Sequence, residues 1–365
     1  MILVNASNLY VGGGMQVGMS VIEEFSKMDV DFIAAVSPPI FKQLSEYAKK
    51  NSIVINGSPS KLLNFGTRRM LDGIVKKYNV DSIFTVFGPS YWNPKINNHT
   101  VGFALPWLIY NSSDVISSLS LKQKIKNSIL KYLQPYFFNK NAAKIVVETI
   151  DAKEQIYKKL HIEKNKIFVV PNTVSSNFKD DFVFDDYFSM KLPHKEKGDI
   201  WLLTISHDYP HKNLRIIFNL LELLPKCFKF VLTLDKSFAE HLSSENKARF
   251  IFLGEVENKL CPTLYALSDA LFLPTLLECF SASYVEAGLM KKPIFTSNRG
   301  FSKTVCEDGA FYFEPLDALD IAQIILNAFG NPEEMSNKCE RMYLIQEKLP
   351  SAKERAEMYL KIISM

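Results

Sequence analysis

Glu278 and Glu286 are separated by seven residues in the stretch ECFSASYVEAGLMKKPIF, residues 278–295. Small residues surround them (Ser281, Ala282, Ser283, Ala287, Gly288), and Pro293 opens an apolar run. Two chemistries fit. Ser283-Tyr-Val-Glu286 matches the S-x-x-E capping box, in which Glu286 only caps its own helix. That reading leaves Glu278, Ser281 and Ala282 unexplained. In the other, a loop after a strand presents Glu278, and the N–H groups of Phe280, Ser281 and Ala282 open a helix toward a phosphate or sugar. Glu286, one turn on, then accepts two hydroxyl hydrogen bonds from a vicinal diol such as ribose.

Two further stretches carry candidate chemistry. In ISHDYPHKNL (205–214), Pro210 shapes a turn, Asn213 is a candidate helix N-cap, and Lys212 lies just before the helix. A lysine there meets phosphate as a point charge, or is a solvated surface group. In NLYVGGGMQVG (8–18), three glycines remove every Cβ between a strand and a helix. Backbone N–H groups can then approach an anion, or the stretch is only a tight turn. The spacing is not G-x-G-x-x-G, and no acid ends the second strand, so a dinucleotide site is not expected. The D-x-D of Asp29-Val-Asp31 precedes a strand and reads as a turn, not a metal site.

The elements that must position these residues alternate. Strand patterns at 1–5, 32–37, 53–55, 82–87, 100–104, 144–148 and 167–170 interleave with helical ones near 15–27, 39–50, 66–78, 117–138 and 151–160. The alternation restarts with strands at 200–206, 228–234, 249–253, 270–273, 293–297 and 310–313, and helices near 213–224, 258–268, 283–290, 318–329, 333–348 and 351–363. Such alternation predicts parallel sheets covered on both faces. The expected class is α/β, with two Rossmann-like doubly wound domains facing each other across a cleft. Ligands in such sheets bind at the carboxyl ends of the strands. The predicted boundaries are 1–180 for the first Rossmann-like domain, 181–349 for the second, and 350–365 for a C-terminal helix packing back toward the first.

The 365 residues are 47% hydrophobic and 22% charged, which are globular values. No run of 18 apolar residues occurs. The first residues run straight into a strand pattern without a basic region and read as the start of the fold, not a signal peptide. Five scattered cysteines form no C-x-x-C and suit reduced thiols in a cytosol. Residues 1–185 carry 22 Lys/Arg against 15 Asp/Glu, a net +7, and the remainder 21 against 24, a net −3. Between Val115 and Val147 there are six lysines and no acid. That segment includes a basic helix with apolar positions at Leu121, Ile125, Ile129, Leu130 and Leu133. It is either a solvated outer face or a surface for an anionic membrane. A nucleic-acid partner is not expected.

Together, E-x7-E, the PHKN loop and the GGG loop resemble family-4-type (group 1) retaining nucleotide-sugar glycosyltransferases, which have the GT-B architecture. VVPNTV (169–174), FLGEVENKLCPTLYALSDALFLPTLLE (252–278), KKPIFTSNRGF and CEDGAFYFEPLDALDIAQII resemble further segments of that family. The likeness covers nearly the whole chain and is most specific in the second half. It implies transfer of a sugar from a nucleotide diphosphate sugar to a hydroxyl, without metal or other cofactor. Lys212 would hold the diphosphate, with His207 where the family usually has arginine, and Glu286 would bind the ribose. Glu278 would contact the donor sugar near the reacting centre, the backbone of Phe280–Ala282 the sugar or phosphate, and Val256 the base. Gly13 and Gly14 would border the phosphates. Glu278 and Lys212 are the expected catalytic residues. The sequence departs from the family in Glu-Cys-Phe-Ser, where E-G-F-G is usual, and in lacking a histidine in GFALPWLIYN; His99 lies before that strand. The expected acceptor is a glycan or lipid-linked glycan of bacterial surface polysaccharide (O-antigen or capsule). The expected place is cytoplasmic, peripheral at the inner face of the membrane. The alternatives are a sugar-nucleotide epimerase of the same architecture and a nucleotide-sugar-binding protein without activity.

Overall fold

The computed structural model describes all residues except 62, 90, 118, 176 and 179–181. The chain forms two compact units. One comprises Met1–Tyr110, Ser120–Thr173 and Pro350–Met365; the other comprises Asn111–Leu119 and Val174–Leu349. The division expected at 180/181 falls on residues outside the described set.

The first unit is built on a seven-stranded sheet of β1 (Ile2–Ala6), β2 (Phe32–Val36), β3 (Ser52–Val54), β4 (Ser82–Thr85), β5 (Asn98–Gly102), β6 (Lys144–Val147) and β7 (Ile167–Val169). Their spatial order is β3-β2-β1-β4-β5-β6-β7, and every pairing is parallel. Parallel strands need covering on both faces, and the burial pattern shows it. Val4, Ala6, Ala34 and Val36 face one core cluster, while Leu3, Ile33 and Ala35 face another. The helix Ala352–Ser364 belongs to this unit. It starts with a capping box between Ser351 and Glu354, and it buries Ala356, Tyr359, Ile362 and Ile363 beside Val4 and Phe84. Its buried Arg355 donates to the Asn172 side chain.

The second unit carries β8 (Ile200–Thr204), β9 (Phe228–Leu232), β10 (Phe250–Phe252), β11 (Ala270–Leu273), β12 (Ile294–Ser297) and β13 (Phe311–Phe313). The order is β10-β9-β8-β11-β12-β13, again all parallel. Alternate residues again split the faces. Leu202, Phe230, Phe272 and Phe295 pack on one side, and Trp201, Leu203, Val231, Leu271 and Leu273 on the other. Chain direction reverses its march across the sheet between β8 and β11 here, and between β1 and β4 in the first unit. A doubly wound sheet opens a crevice at that switch point, beyond the carboxyl ends of the strands.

Three local expectations change. The single helix expected over 39–50 is two, Pro38–Gln43 and Glu46–Lys49, because Leu44 and Ser45 are extended between them and the Ser45 hydroxyl caps the second. Asn213 is not a helix N-cap: its backbone is left-handed, and its amide donates to the Pro315 carbonyl at 2.7 Å. His99 lies inside β5, not before it. It is fully buried with Nε2 2.8 Å from the Thr85 hydroxyl, and burial lowers its pKa to about 4.

Candidate functional site

The loops after β8 and β11 meet at the switch point of the second sheet. After β8 the chain reaches a single 3-10 turn, Pro210–Lys212, and after β11 it runs through Thr275 and Leu276 to Glu278. The two loops are bonded together by one carbonyl. His211 O accepts from the Leu276 backbone N–H at 2.7 Å and from the Thr275 hydroxyl at 3.1 Å. Both donors are buried, so this junction is costly to break. It holds the Lys212 ammonium on the Glu278 carboxylate, in an ion pair whose side chains are 17% and 13% exposed. The neighbouring His211 imidazole is pushed down to about 4 by burial and by the Lys212 charge, so it stays neutral beside the pair at pH 7. His207 and Tyr209 are exposed on the same loop, and the Tyr209 ring stacks on His211 at 5.6 Å.

Past Glu278 the chain enters the helix Ala282–Leu289 with Ser281 at its N-cap position and no side-chain cap. The capping-box reading is therefore overturned. Ser283 lies within the first turn, and the Glu286 carboxyl does not turn back to it. The start of this helix, where the helix dipole is positive, therefore has no side-chain cap. Glu286 is instead buried, at 7% exposed, and the Tyr265 hydroxyl donates to its Oε2 at 3.0 Å. Burial raises its pKa to about 7 against the lowering effect of that hydrogen bond. Val256 is half-buried against the core cluster on the same face of the sheet as Tyr265.

Lys212, Glu278, Phe280, Ser281, Ala282 and Glu286 are thus gathered on two neighbouring loops and one helix start. Gly13 and Gly14 belong to the other unit, at its own switch point. They lie in the first turn of the helix Gly12–Lys27, which follows β1. Gly12 has φ +72, where a glycine is favoured, but a Cβ on Gly13 would meet nothing within 4 Å. Packing does not require that glycine, so open space lies above it. Asp31 of the D-x-D stretch pairs with the N-terminal ammonium at 3.6 Å, before β2. Among the described residues no group of three metal-ligating side chains occurs.

Tyr265 and Thr275 were not singled out from the sequence. Each acts through a partner at long separation, 21 residues for Tyr265 and 64 for Thr275. No local spacing marks them.

A charge of this kind has a measurable cost. Glu286 keeps its proton in the folded chain up to about pH 7, but loses it near 4.5 when unfolded. The folded state binds more protons in that window, so stability falls as pH rises from about 4.5 to 7, by roughly 2–4 kcal/mol. Glu286→Gln should therefore melt higher than wild type at pH 8, with the gap closing toward pH 5. A gap that is constant with pH would show that the carboxyl does not titrate this way.

Residues 189–343 match the family model described as "Glycosyl transferases group 1". No curated protein sequence matches the chain. Among solved structures, a glycosyltransferase from Rickettsia africae superposes with TM-score 0.73 at 18% identity, covering 100% of this chain and 97% of that one. WaaG, a glycosyltransferase involved in lipopolysaccharide biosynthesis, gives 0.74 at 13%, covering 100% of both. Anabaena HepE, solved with UDP and glucose, gives 0.72 at 13%, covering 100% and 99%. Residues 189–343 are thus similar to group 1 glycosyltransferases, in a chain that has the GT-B fold of two parallel-sheet Rossmann-like domains.

Proposed function

We propose that the chain is a retaining, metal-independent hexosyltransferase of the family-4 type, moving a sugar from a nucleotide diphosphate sugar to a hydroxyl. The observation that carries this reading is the Lys212–Glu278 pair set beside the uncapped start of the Ala282–Leu289 helix, with buried Glu286 one turn on. That set matches the needs of a nucleotide diphosphate: a cation and free N–H groups for phosphate, and a carboxyl for the ribose diol.

The bond between the anomeric carbon and the diphosphate breaks as the acceptor hydroxyl oxygen bonds that carbon, and the acceptor's proton leaves with the nucleoside diphosphate or to solvent. Charge builds on the leaving diphosphate oxygen. Lys212 and the N–H groups of Phe280–Ala282 neutralise it, which places their stabilisation in the transition state. Glu278 steadies positive charge on the donor sugar. Glu286 holds the ribose, Val256 contacts the base, and His207 adds a polar contact to phosphate. UDP bound to HepE makes a uridine donor the first to try. Thermal-shift assays against UDP-, GDP-, ADP- and dTDP-sugars should give a selective rise in melting temperature, since a ligand of the native state stabilises by mass action. Lys212→Ala and Glu286→Ala should lose that rise. Glu278→Gln should keep it while transfer slows about 100-fold or more. A melting temperature unmoved by every nucleotide sugar would sink the reading.

The acceptor we propose is a lipid-linked glycan of bacterial surface polysaccharide, reached from the cytoplasmic face by peripheral membrane contact. Among the described residues no helix is long and apolar enough to cross a membrane. The helix Leu121–Asn141 supports a surface role instead. Leu121, Ile125, Ile129, Tyr132 and Tyr136 are exposed along it, among Lys122, Lys126, Lys131 and Lys140. Exposed apolar side chains flanked by lysines suit an anionic interface. The chain should sediment with phosphatidylglycerol vesicles at low salt and not with pure phosphatidylcholine, and Ile125→Glu/Ile129→Glu should abolish it. Equal sedimentation of that variant would make the helix an ordinary solvated face.

A further inference from the structure

The Tyr265 hydroxyl has one proton and two acceptors. It lies 3.0 Å from Glu286 Oε2 and 3.3 Å from the Ser283 carbonyl, and it is fully buried. Among the described residues no other hydrogen bond to the Glu286 carboxyl occurs, and none reaches Oε1. We propose that Tyr265 is a positioning residue of the donor site: it holds Oε2 of Glu286, leaves Oε1 to the ribose diol, and makes nucleotide binding release a proton. The proposal rests on the donor-site reading above.

The hydrogen-bond inventory allows two arrangements. With Glu286 protonated, its O–H donates to the Tyr265 oxygen, and Tyr265 donates to the Ser283 carbonyl. With Glu286 ionised, Tyr265 turns its proton to Oε2, and the carboxylate accepts from the ribose hydroxyls. No covalent bond beyond O–H changes; the carboxyl proton passes to solvent as the diol arrives. Hydrogen bonds donated to a carboxylate favour the charged form.

The surroundings leave this exchange to Glu286. From the helix Cys261–Leu267, Cys261 and Tyr265 face it, and burial together with the Glu286 charge pushes the Cys261 thiol up to about 12. Tyr284, on its own helix, bonds Thr296 of β12 at 2.8 Å, and the buried thiol of Cys306 lies in the helix Gly300–Cys306. From the helix Pro332–Gln346, Glu340 is paired with Lys291 at 3.0 Å and Arg341 with Asp308 at 2.7 Å. Lys292 donates to the Ala266 carbonyl at 3.1 Å. Among the described residues none places a cation at the carboxyl, and burial holds its pKa near neutrality, at about 7.

The test is isothermal titration with UDP-, GDP- and ADP-glucose, whose diphosphate diesters carry no proton that titrates near pH 7. Each is measured in two buffers of different ionisation enthalpy. The expected result is release of roughly half to one proton per site at pH 6.5, near none at pH 8.5, and affinity that weakens up to about tenfold per pH unit below about 7. Tyr265→Phe should still bind, with the midpoint of that dependence moved to higher pH. Should this variant not fold, the wild-type infrared difference spectrum decides: nucleotide should remove a protonated-carboxyl band and move the tyrosine C–O band with it. Binding without proton release, a midpoint unmoved in Tyr265→Phe, or an unmoved tyrosine band overturns the proposal. Binding of none of the three sugars overturns the donor-site reading itself.

Discussion

The ion pair of Lys212 and Glu278 is the contact on which the account of this chain turns. Each partner is a flexible side chain in a loop, and an exposed pair of that kind contributes little. Here the loops follow β8 and β11, adjacent strands whose register sets Ala270 beside Leu202. A single carbonyl, that of His211, accepts from both Thr275 and Leu276 and holds the second loop against the first. The pair is therefore placed by the sheet, not by its own attraction. That gives a cation and an acid ordered in advance at the point where a doubly wound sheet opens to ligand.

The same helix start stores an opposing strain of charge. Glu286 occupies a buried position that the fold would fill more stably with a neutral side chain. It is kept neutral by burial while its neighbours are the Tyr265 hydroxyl and a thiol. Destabilised groups of this type concentrate where function needs them. Lys212 and Glu278 hold each other's charge and Glu286 holds its own proton, so on the proposed reading a ligand carrying phosphate and diol has to exchange both. This is a physical reason for selectivity toward ligands with the two features together.

Much of this was legible in the residues. The strands among the described residues overlap those the alternation predicts, because buried parallel strands read as short apolar segments; the exception in detail is β5, which starts at Asn98, two residues before its expected start, and takes in His99. Glu278, Lys212 and the small residues Ser281 and Ala282 stand out by type and spacing. What was not legible depends on contacts across long separations. The S-x-x-E pattern at Ser283 points to a capping box, yet the helix begins at Ala282, so Glu286 is turned into the core and to Tyr265. Asn213 reads as a cap but takes a left-handed turn, because its amide finds the Pro315 carbonyl 102 residues away. The buried Arg355–Asn172 contact, spanning 183 residues, had no local signal either.

The most direct measurement is a crystal structure of the chain with UDP-glucose, or whichever nucleotide sugar raises its melting temperature most. In that complex the Lys212 ammonium should leave Glu278 for the diphosphate, with the ribose hydroxyls on Glu286 and the phosphate oxygens at the N–H groups of Phe280–Ala282. A nucleotide seated elsewhere, with the Lys212–Glu278 pair intact, would contradict that placement.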